Sequence, residues 1–115
     1  MELLRNYWPI LGLILWFSFK WYSSRKIKAK LPELKRLGAV FLDVRSVGEF
    51  QASNAPNTLN IPLQELSSRL NELSKSTPIV VCCASGTRSG MAKMLLKKNG
   101  FTSVYNIGAW TNFLN

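Results

Sequence analysis

The sequence predicts an α/β domain with a central, mainly parallel sheet flanked by helices, preceded by one N-terminal transmembrane helix. Two apolar runs, at residues 39–44 and 78–83, are typical of parallel strands that are buried on both faces. Helix-forming segments alternate with these strands, which is the pattern of a parallel sheet with helical crossovers. Before the domain, thirteen residues from Tyr7 to Phe19 carry no charge, which indicates a separate apolar segment.

This N-terminal segment is predicted to span a membrane once, although it is short. As a helix, residues 7–22 would extend about 24 Å, against about 30 Å for the hydrocarbon core of a bilayer. Aromatic pairs at its two ends can form the belts typical of membrane interfaces: Tyr7 and Trp8, then Trp21 and Tyr22. The alternatives are a segment that lies in the interface, a signal segment, and a helix of a soluble domain.

Basic residues are concentrated directly after this segment. The chain has 15 Lys and Arg and a net charge of +9, and eight of these basic residues lie in residues 1–36, against two acids. By the positive-inside rule, the basic block at residues 25–30 places the C-terminal domain in the cytoplasm of a single-pass cell-membrane protein. This distribution favours a lipid bilayer, and a membrane protein as a further partner, and no nucleic-acid partner is expected.

The composition excludes several kinds of site. Because the chain has no His, it can build neither a Ser-His-Asp nor a Cys-His arrangement, and it lacks a ligand that most zinc sites use. Its two cysteines are adjacent, so they cannot form a disulfide framework. No metal and no cofactor are predicted.

Three segments follow from these patterns. They are a transmembrane anchor over residues 1–24, a basic juxtamembrane linker over residues 25–32 and the α/β domain over residues 33–115. The domain is predicted to open with a short helix that has Pro32 near its start and Gly38 just past its end.

The remaining elements are predicted from apolar runs, caps and turn residues. In the first half of the domain, a capping box at Ser46 and Glu49 opens a short helix after the strand at residues 39–44, and Pro62 stops a brief strand at residues 59–61. The second half is predicted as a helix capped by Ser67 or Ser68, a strand over 78–83, a helix over 89–99 ended by Gly100, a strand over 103–105 and a helical turn over 110–114.

The stretch from Cys83 to Ser89 carries the chemistry. It lies between a buried strand and the start of a helix, where backbone N–H groups and the helix dipole can form an anion-binding loop. Gly86 permits a backbone conformation that other residues resist. Such a loop, together with the cationic Arg88, would hold Cys83 as a thiolate, since thiols at helix N-termini have lowered pKa values. The alternative is an inert cysteine packed in the core.

Three sequence blocks make the chain similar to a known family. They are residues 42–50 (LDVRSVGEF), 60–63 (NIPL) and 80–89 (VVCCASGTRS), and Trp110 follows them. Together they resemble the rhodanese family of sulfurtransferases, which carry sulfane sulfur as a cysteine persulfide, over residues 33–113. An N-terminal anchor followed by one such domain also resembles the membrane-bound bacterial members of that family.

The resemblance implies a role for each matching residue. Cys83 matches the sulfur-accepting nucleophile, Arg88 matches the arginine that closes the loop, and the loop amides that bind the substrate match Ala84, Ser85, Gly86 and Thr87. Asp43, Arg45 and Glu49 match structural residues near the site, and Arg45 is expected to engage Glu49. The implied donor is thiosulfate or a persulfide, and the implied acceptor is a thiol, cyanide or a partner protein.

Two other functions stay open at this point. Counted from Cys82, the same stretch has the Cys-x5-Arg-Ser spacing of tyrosine phosphatases, which indicates a phosphatase or an arsenate reductase. Those phosphatases typically have His before the cysteine, where this chain has Val81. The other alternative is a non-catalytic interaction module of the same fold, tethered to a membrane.

Overall fold

The structure is a computed structural model that describes residues 2–114, with side chains from residue 5 onward. Met1, at the start of the predicted anchor, and Asn115, at the end of the predicted domain, lie outside the described residues. Four parallel strands form one sheet in the order β2-β1-β3-β4: β1 (Val40–Asp43), β2 (Leu59–Asn60), β3 (Ile79–Cys83) and β4 (Val104–Ala109). The predicted α/β class with a parallel sheet flanked by helices is confirmed.

Helices cover both faces of this sheet. They are α1 (Glu2–Arg36), α2 (Val47–Ala52), α3 (Leu63–Leu66) and α4 (Thr87–Lys98), with 3-10 turns at Leu70–Glu72 and Trp110–Phe113. On one face, α3 and α4 pack on a core that includes Leu42, Val81 and Leu96. On the other face, Leu31 and Leu34 of α1 pack against Val80, Cys82 and Ile107. The two central strands are therefore buried on both sides, which explains their continuous apolar sequences.

Helix α1 runs without interruption through two predicted boundaries. Residues 25–32, predicted as a linker, are helical, and Pro32 lies inside the helix rather than near the start of a new one. The prediction of a separate helix at residues 32–37 is therefore wrong, although α1 does end just before Gly38. The helix continues through Pro32 because Leu31 and Leu34, on either side of it, are anchored in the core.

The structure does not support the predicted transmembrane helix. Among the described residues, no helix has an apolar stretch long enough to cross a membrane. Helix α1 itself is about 52 Å long at 1.5 Å per residue. Its uncharged run, however, ends at Lys20 after thirteen residues, and the Trp and Tyr side chains in it are less apolar than Leu or Ile.

Two other helices, α3 and α4, begin at different residues from those predicted. The prediction that Ser67 or Ser68 caps the start of a helix is wrong. Helix α3 starts after Pro62, and Ser67 follows its last residue. Helix α4 begins at Thr87, two residues earlier than predicted, since the left-handed backbone of Gly86 already ends the preceding loop. The capping box that opens α2 is confirmed: the Ser46 hydroxyl accepts from the Glu49 N–H, and the Glu49 carboxylate accepts from the Ser46 N–H.

Gly108 of β4 lies where α1 crosses close to the sheet. Its φ is +87°, and a Cβ there would lie 2.8 Å from Ser24 Oγ, whereas Gly38, at φ +78°, has nothing within 4 Å of such a Cβ. We expect Gly38→Ala to cost the left-handed backbone strain of about 1–2 kcal/mol in the free energy of unfolding. Gly108→Ala should cost more, because the Ser24 hydroxyl must also turn away from the new Cβ. Urea unfolding of the two variants measures the difference, and equal losses would contradict the close contact between Gly108 and Ser24.

Candidate active site

The loop between β3 and α4 brings the predicted nucleophile and its N–H donors together. Gly86, the residue before α4, has a φ of +102°, and its N–H donates to Cys83 Sγ at 2.8 Å. A Cβ on Gly86 would lie 3.1 Å from the Cα of Gly108. Glycine is thus required both by the left-handed backbone and by the neighbouring strand. The side chains of Ala84, Ser85 and Thr87 are exposed at the rim of this loop.

The environment of Cys83 favours its thiolate. Burial raises the pKa of the Cys83 thiol, but hydrogen bonds from the Ser89 hydroxyl and from the backbone N–H groups of Ser89, Gly86 and Ser85 lower it more. The net result is a pKa below the ordinary value of a cysteine. N–H groups in the first turn of a helix lack partners within the helix, so they are available to an anion here. The geometry is that of an amide-lined loop around Cys83, and the role of Cys83 as nucleophile stays a prediction.

Hydrogen bonds from Ser89 and Asn106 hold the loop around Cys83 in place. Ser89 is fully buried, and its hydroxyl lies 3.4 Å from Cys83 Sγ and 2.7 Å from Asn106 Oδ1. Asn106 of β4 also donates to the Gly86 carbonyl at 3.1 Å and accepts from the Gly108 N–H at 2.9 Å. Because the Ser89 hydroxyl has one proton, it can turn toward Cys83 when the sulfur is negative. The sequence places Ser89 at the end of the predicted loop but predicts no role for it, and Asn106 is not predicted as part of the site, although an Asn inside an otherwise apolar strand is a detectable signal.

Ser89→Ala tests this contribution to the thiolate. We expect the variant to raise the pKa of Cys83, since one of the hydrogen bonds that lower it is removed. The thiolate population rises with pH through the pKa, so the pH midpoint of Cys83 alkylation by iodoacetamide should move to higher pH. At neutral pH the alkylation rate should fall several-fold. Ser85→Ala, which keeps the backbone donor, is the matched control and should leave the midpoint in place. An unchanged midpoint in Ser89→Ala would contradict the role of the hydroxyl.

Arg88 forms an ion pair with Glu49 of α2, not with Cys83. Its two terminal nitrogens donate to the two oxygens of Glu49, at 2.7 and 3.0 Å. The hydrogen bond from Arg88, followed by those from Ser46, lowers the pKa of the Glu49 carboxyl to about 2. The hydrogen bond with Glu49, followed by the negative charges of Glu49 and Cys83, raises the pKa of Arg88, although burial lowers it. Arg88 therefore ties α4 to α2.

The expected pairing of Arg45 with the carboxylate of Glu49 does not occur in the structure. The Arg45 guanidinium instead pairs with Asp43, with Nη2 and Oδ2 2.8 Å apart, and reaches only the backbone carbonyls of Glu49 and Ser53. Asp43 is fully buried and Arg45 is 4% exposed. The carboxylate of Glu49 is already occupied by Arg88, which explains the change of partner. The Asp43–Arg45 pair ties the end of β1 to the ends of α2.

Cys82 faces away from the loop. Successive residues of a strand point to opposite faces, so Cys82 packs with Leu31, Leu34 and Ile107 while Cys83 belongs to the other core. Burial, followed by the negative charge of Asp43, raises the pKa of the Cys82 thiol. Both cysteines are free thiols. This arrangement argues against Cys82 as a phosphatase-type nucleophile.

Helix α1 contributes a lysine to the rim of the loop, which had not been predicted. Lys20 Nζ donates to the Ser85 carbonyl at 3.3 Å and lies 4.5 Å from the centre of the Trp16 ring. Its position depends on α1 continuing past the carboxyl ends of the strands, which a separate anchor and linker would not indicate. Within residues 2–114, no cluster of Cys, Asp and Glu could hold a metal ion.

Comparisons with known proteins identify the family. The model of the Rhodanese-like domain family matches residues 26–115. The uncharacterized protein YqhL of Bacillus subtilis is 37% identical over 89 residues, which cover 75% of this chain and 71% of YqhL. The thiosulfate sulfurtransferase PspE of Escherichia coli is 34% identical over 70 residues, which cover 59% of this chain and 67% of PspE.

Solved structures give the same result. The human single-domain sulfurtransferase TSTD1 superposes with a TM-score of 0.64 and 32% identity, over 73% of this chain and 91% of the human chain. Some matched proteins are much longer: the chain spans 36% of one bacterial relative to which it is 42% identical over 66 residues. The similarity thus covers the α/β domain and the last part of α1.

Proposed function

Because the chain belongs to the rhodanese-like domain family, we propose that it is a sulfurtransferase in which Cys83 carries the sulfur as a persulfide. The observation that supports this most directly is the hydrogen bond from the Gly86 N–H to Cys83 Sγ at 2.8 Å, in a loop that lowers the pKa of that thiol. Thiosulfate sulfurtransferases among the relatives, at modest identity, agree with the proposal.

The proposed reaction has two half-reactions. The Cys83 thiolate attacks the outer sulfur of thiosulfate, an S–S bond forms to Cys83, and the bond to the sulfonate sulfur breaks with its electron pair on the departing sulfite. The resulting persulfide anion lies among the N–H groups that bound the thiolate. An acceptor thiolate then attacks the outer sulfur and leaves with it, which restores the Cys83 thiolate.

Steady-state kinetics test this proposal. With thiosulfate as donor and a small thiol or cyanide as acceptor, we expect ping-pong behaviour, in which double-reciprocal plots at several acceptor concentrations are parallel. Intersecting lines would mean that donor and acceptor bind together, and the covalent intermediate would be contradicted. Absence of turnover with thiosulfate and with an organic persulfide would remove the enzymatic proposal and leave the interaction module.

The interaction module stays the second candidate, and one cross-linking experiment separates it from the enzyme. Its expected partner is a membrane protein, held without any need for a reactive cysteine. Photo-cross-linking of the full chain in membranes should then give the same products with wild type and with Cys83→Ala. Products that disappear in Cys83→Ala would contradict a scaffold that acts without the cysteine.

We also propose that the first part of α1 attaches the protein to a membrane, with the domain on the cytoplasmic side. Large apolar side chains are exposed all around this part of the helix: Tyr7, Trp8, Ile10, Leu11, Leu13, Ile14 and Leu15. The basic residues that follow would favour an anionic lipid surface, at about 1 kcal/mol for each Lys or Arg near it.

Sedimentation with anionic phospholipid vesicles tests this attachment. The full chain should pellet with the vesicles. Leu13→Asp should weaken the attachment, because it places a charge among the exposed apolar side chains of α1. Met94→Asp, at an exposed position of α4, is the control and should pellet like wild type. A wild-type chain that stays in the supernatant would contradict the attachment, and protease access from the cytoplasmic side tests the orientation.

A further inference from the structure

A cavity of about 990 Å³ lies between α1 and the loop that carries Cys83. From the domain, Ser85, Thr87 and Gly108 line it, and from α1 its wall is built by Trp16, Phe17 and Trp21 together with cationic side chains. Two residues of the loop that follows Cys83, Ser85 and Thr87, thus line the cavity. The volume lies at the upper end of the range that small-molecule sites span, roughly 300–1,000 Å³.

The charges around this cavity are all of one sign. Among its described lining residues, Lys20, Arg25 and Lys28 are cationic and none is acidic. Lys20 is held at the loop by the Ser85 carbonyl and over the Trp16 ring, and Arg25 lies 4.7 Å from the Trp21 ring centre. The positive charge is therefore fixed beside aromatic surface, which fits a ligand with an anionic end and an apolar body.

The wall formed by α1 lies outside the part of the chain that the family model matches. Trp16, Phe17, Lys20 and Trp21 all precede residue 26, where that match begins. A selectivity that these residues confer would therefore come from outside the matched domain. The three aromatic side chains offer far more apolar surface than an inorganic anion such as thiosulfate could use.

Burial of the nucleophile limits the form of the reactive end. Cys83 is 1% exposed, so a bulky group cannot reach its sulfur in line. A donor that ends in a single sulfur atom needs the smallest opening at the loop to reach Cys83, while the rest of the molecule would stay in the cavity beside Ser85 and Thr87. A thiosulfonate, R–SO₂–S⁻, has this form, since its transferable sulfur is terminal and its charge lies at that end.

We infer that the wall of α1 makes this protein selective for sulfane-sulfur donors with an apolar, aromatic body, of the thiosulfonate class, and that Trp16 and Lys20 determine this selectivity. The inference depends on the proposed function. The Cys83 thiolate forms an S–S bond to the terminal sulfur, the bond between that sulfur and the sulfonyl sulfur breaks, and its electron pair leaves on the sulfinate, R–SO₂⁻. One negative charge remains on the persulfide and one on the sulfinate, as on the two reactants.

Two donors that differ only in their apolar body test the inference. The kcat/KM of sulfur transfer is measured with benzenethiosulfonate and with methanethiosulfonate, and each value is divided by the rate of the same donor with a free thiol, which removes intrinsic reactivity. We expect the corrected ratio to favour the benzene compound by about tenfold or more, in the range that added apolar groups give in a fitted pocket. Trp16→Ala should reduce the ratio several-fold, and Trp16→Phe should restore most of it.

Matched variants separate the aromatic and the ionic contributions. Lys20→Met keeps the aliphatic stem and should lower kcat/KM several-fold for both anionic donors. Trp8→Ala removes an equally large side chain of α1 outside the cavity and should keep the wild-type ratio. Thermal unfolding followed by circular dichroism checks that each variant is folded.

The possible results distinguish the two proposals. If Cys83 accepts sulfur from both donors with a corrected ratio near one, or if Trp16→Ala leaves the ratio unchanged, the inference is overturned and the proposed function stands. If no donor, thiosulfate included, transfers sulfur to Cys83 in the folded wild type, the proposed function falls and the inference falls with it.

Discussion

Cys83→Ser is expected to reduce sulfur transfer from thiosulfate to less than about one thousandth of the wild-type rate, as losses of nucleophiles do. The N–H groups around position 83 lower the pKa of a thiol, whereas a serine hydroxyl stays protonated there and is a far weaker nucleophile toward sulfur. The measurement is release of sulfite, or of thiocyanate with cyanide as acceptor, under saturating donor.

Cys82→Ala is the matched control because the two cysteines are adjacent but face opposite sides of the sheet. Cys82 is fully buried beside Asp43 and takes no part in the loop. Its replacement should keep most of the turnover once the folded fraction is known. A reversed result, with Cys82→Ala inactive and Cys83→Ser active, would contradict the assignment of the nucleophile and favour the phosphatase-like spacing from Cys82.

Asp43→Asn is expected to destabilise the fold by about 3–5 kcal/mol, the cost typical of breaking a buried ion pair at one partner. Arg45 is 4% exposed, and its guanidinium lies 4.7 Å from the Trp110 ring centre, so it would remain buried without a countercharge. Asp43 also accepts from the Arg45 backbone N–H at 2.9 Å. Urea unfolding measures the change in the free energy of unfolding.

Glu72→Gln serves as the control for Asp43→Asn. Glu72 pairs with Arg69 at 2.6 Å, but both side chains of that pair are partly open to solvent. Such surface pairs contribute little to stability, so this variant should unfold close to the wild-type urea concentration. If Asp43→Asn lowered the free energy of unfolding as little as Glu72→Gln, the Asp43–Arg45 pair would not stabilise the fold in the way proposed.

The central strands and the loop were predictable from the sequence because they depend on local pattern. Continuous apolar runs mark β1 and β3, which are buried on both faces, and a Gly between a strand and a helix marks the loop at Gly86. The capping box of α2 is likewise a local arrangement of Ser46 and Glu49.

The features that could not be predicted depend on contacts between distant parts of the chain. Ser89 and Asn106 meet only because α4 packs beside β4. Glu49 pairs with Arg88 instead of Arg45 because the first turn of α2 lies near the start of α4. Lys20 reaches the loop only because α1 continues as one helix, whereas the apolar composition of its first part indicated a separate membrane span.

Peptide mass spectrometry after incubation with thiosulfate tests directly whether Cys83 carries the sulfur. With excess donor and no acceptor, we expect a mass increase of one sulfur atom that fragmentation between residues 82 and 83 assigns to Cys83, and its loss on addition of a thiol. Added sulfur on Cys82, or an unmodified Cys83 in a folded protein exposed to both thiosulfate and an organic persulfide, would rule out Cys83 as the sulfur carrier.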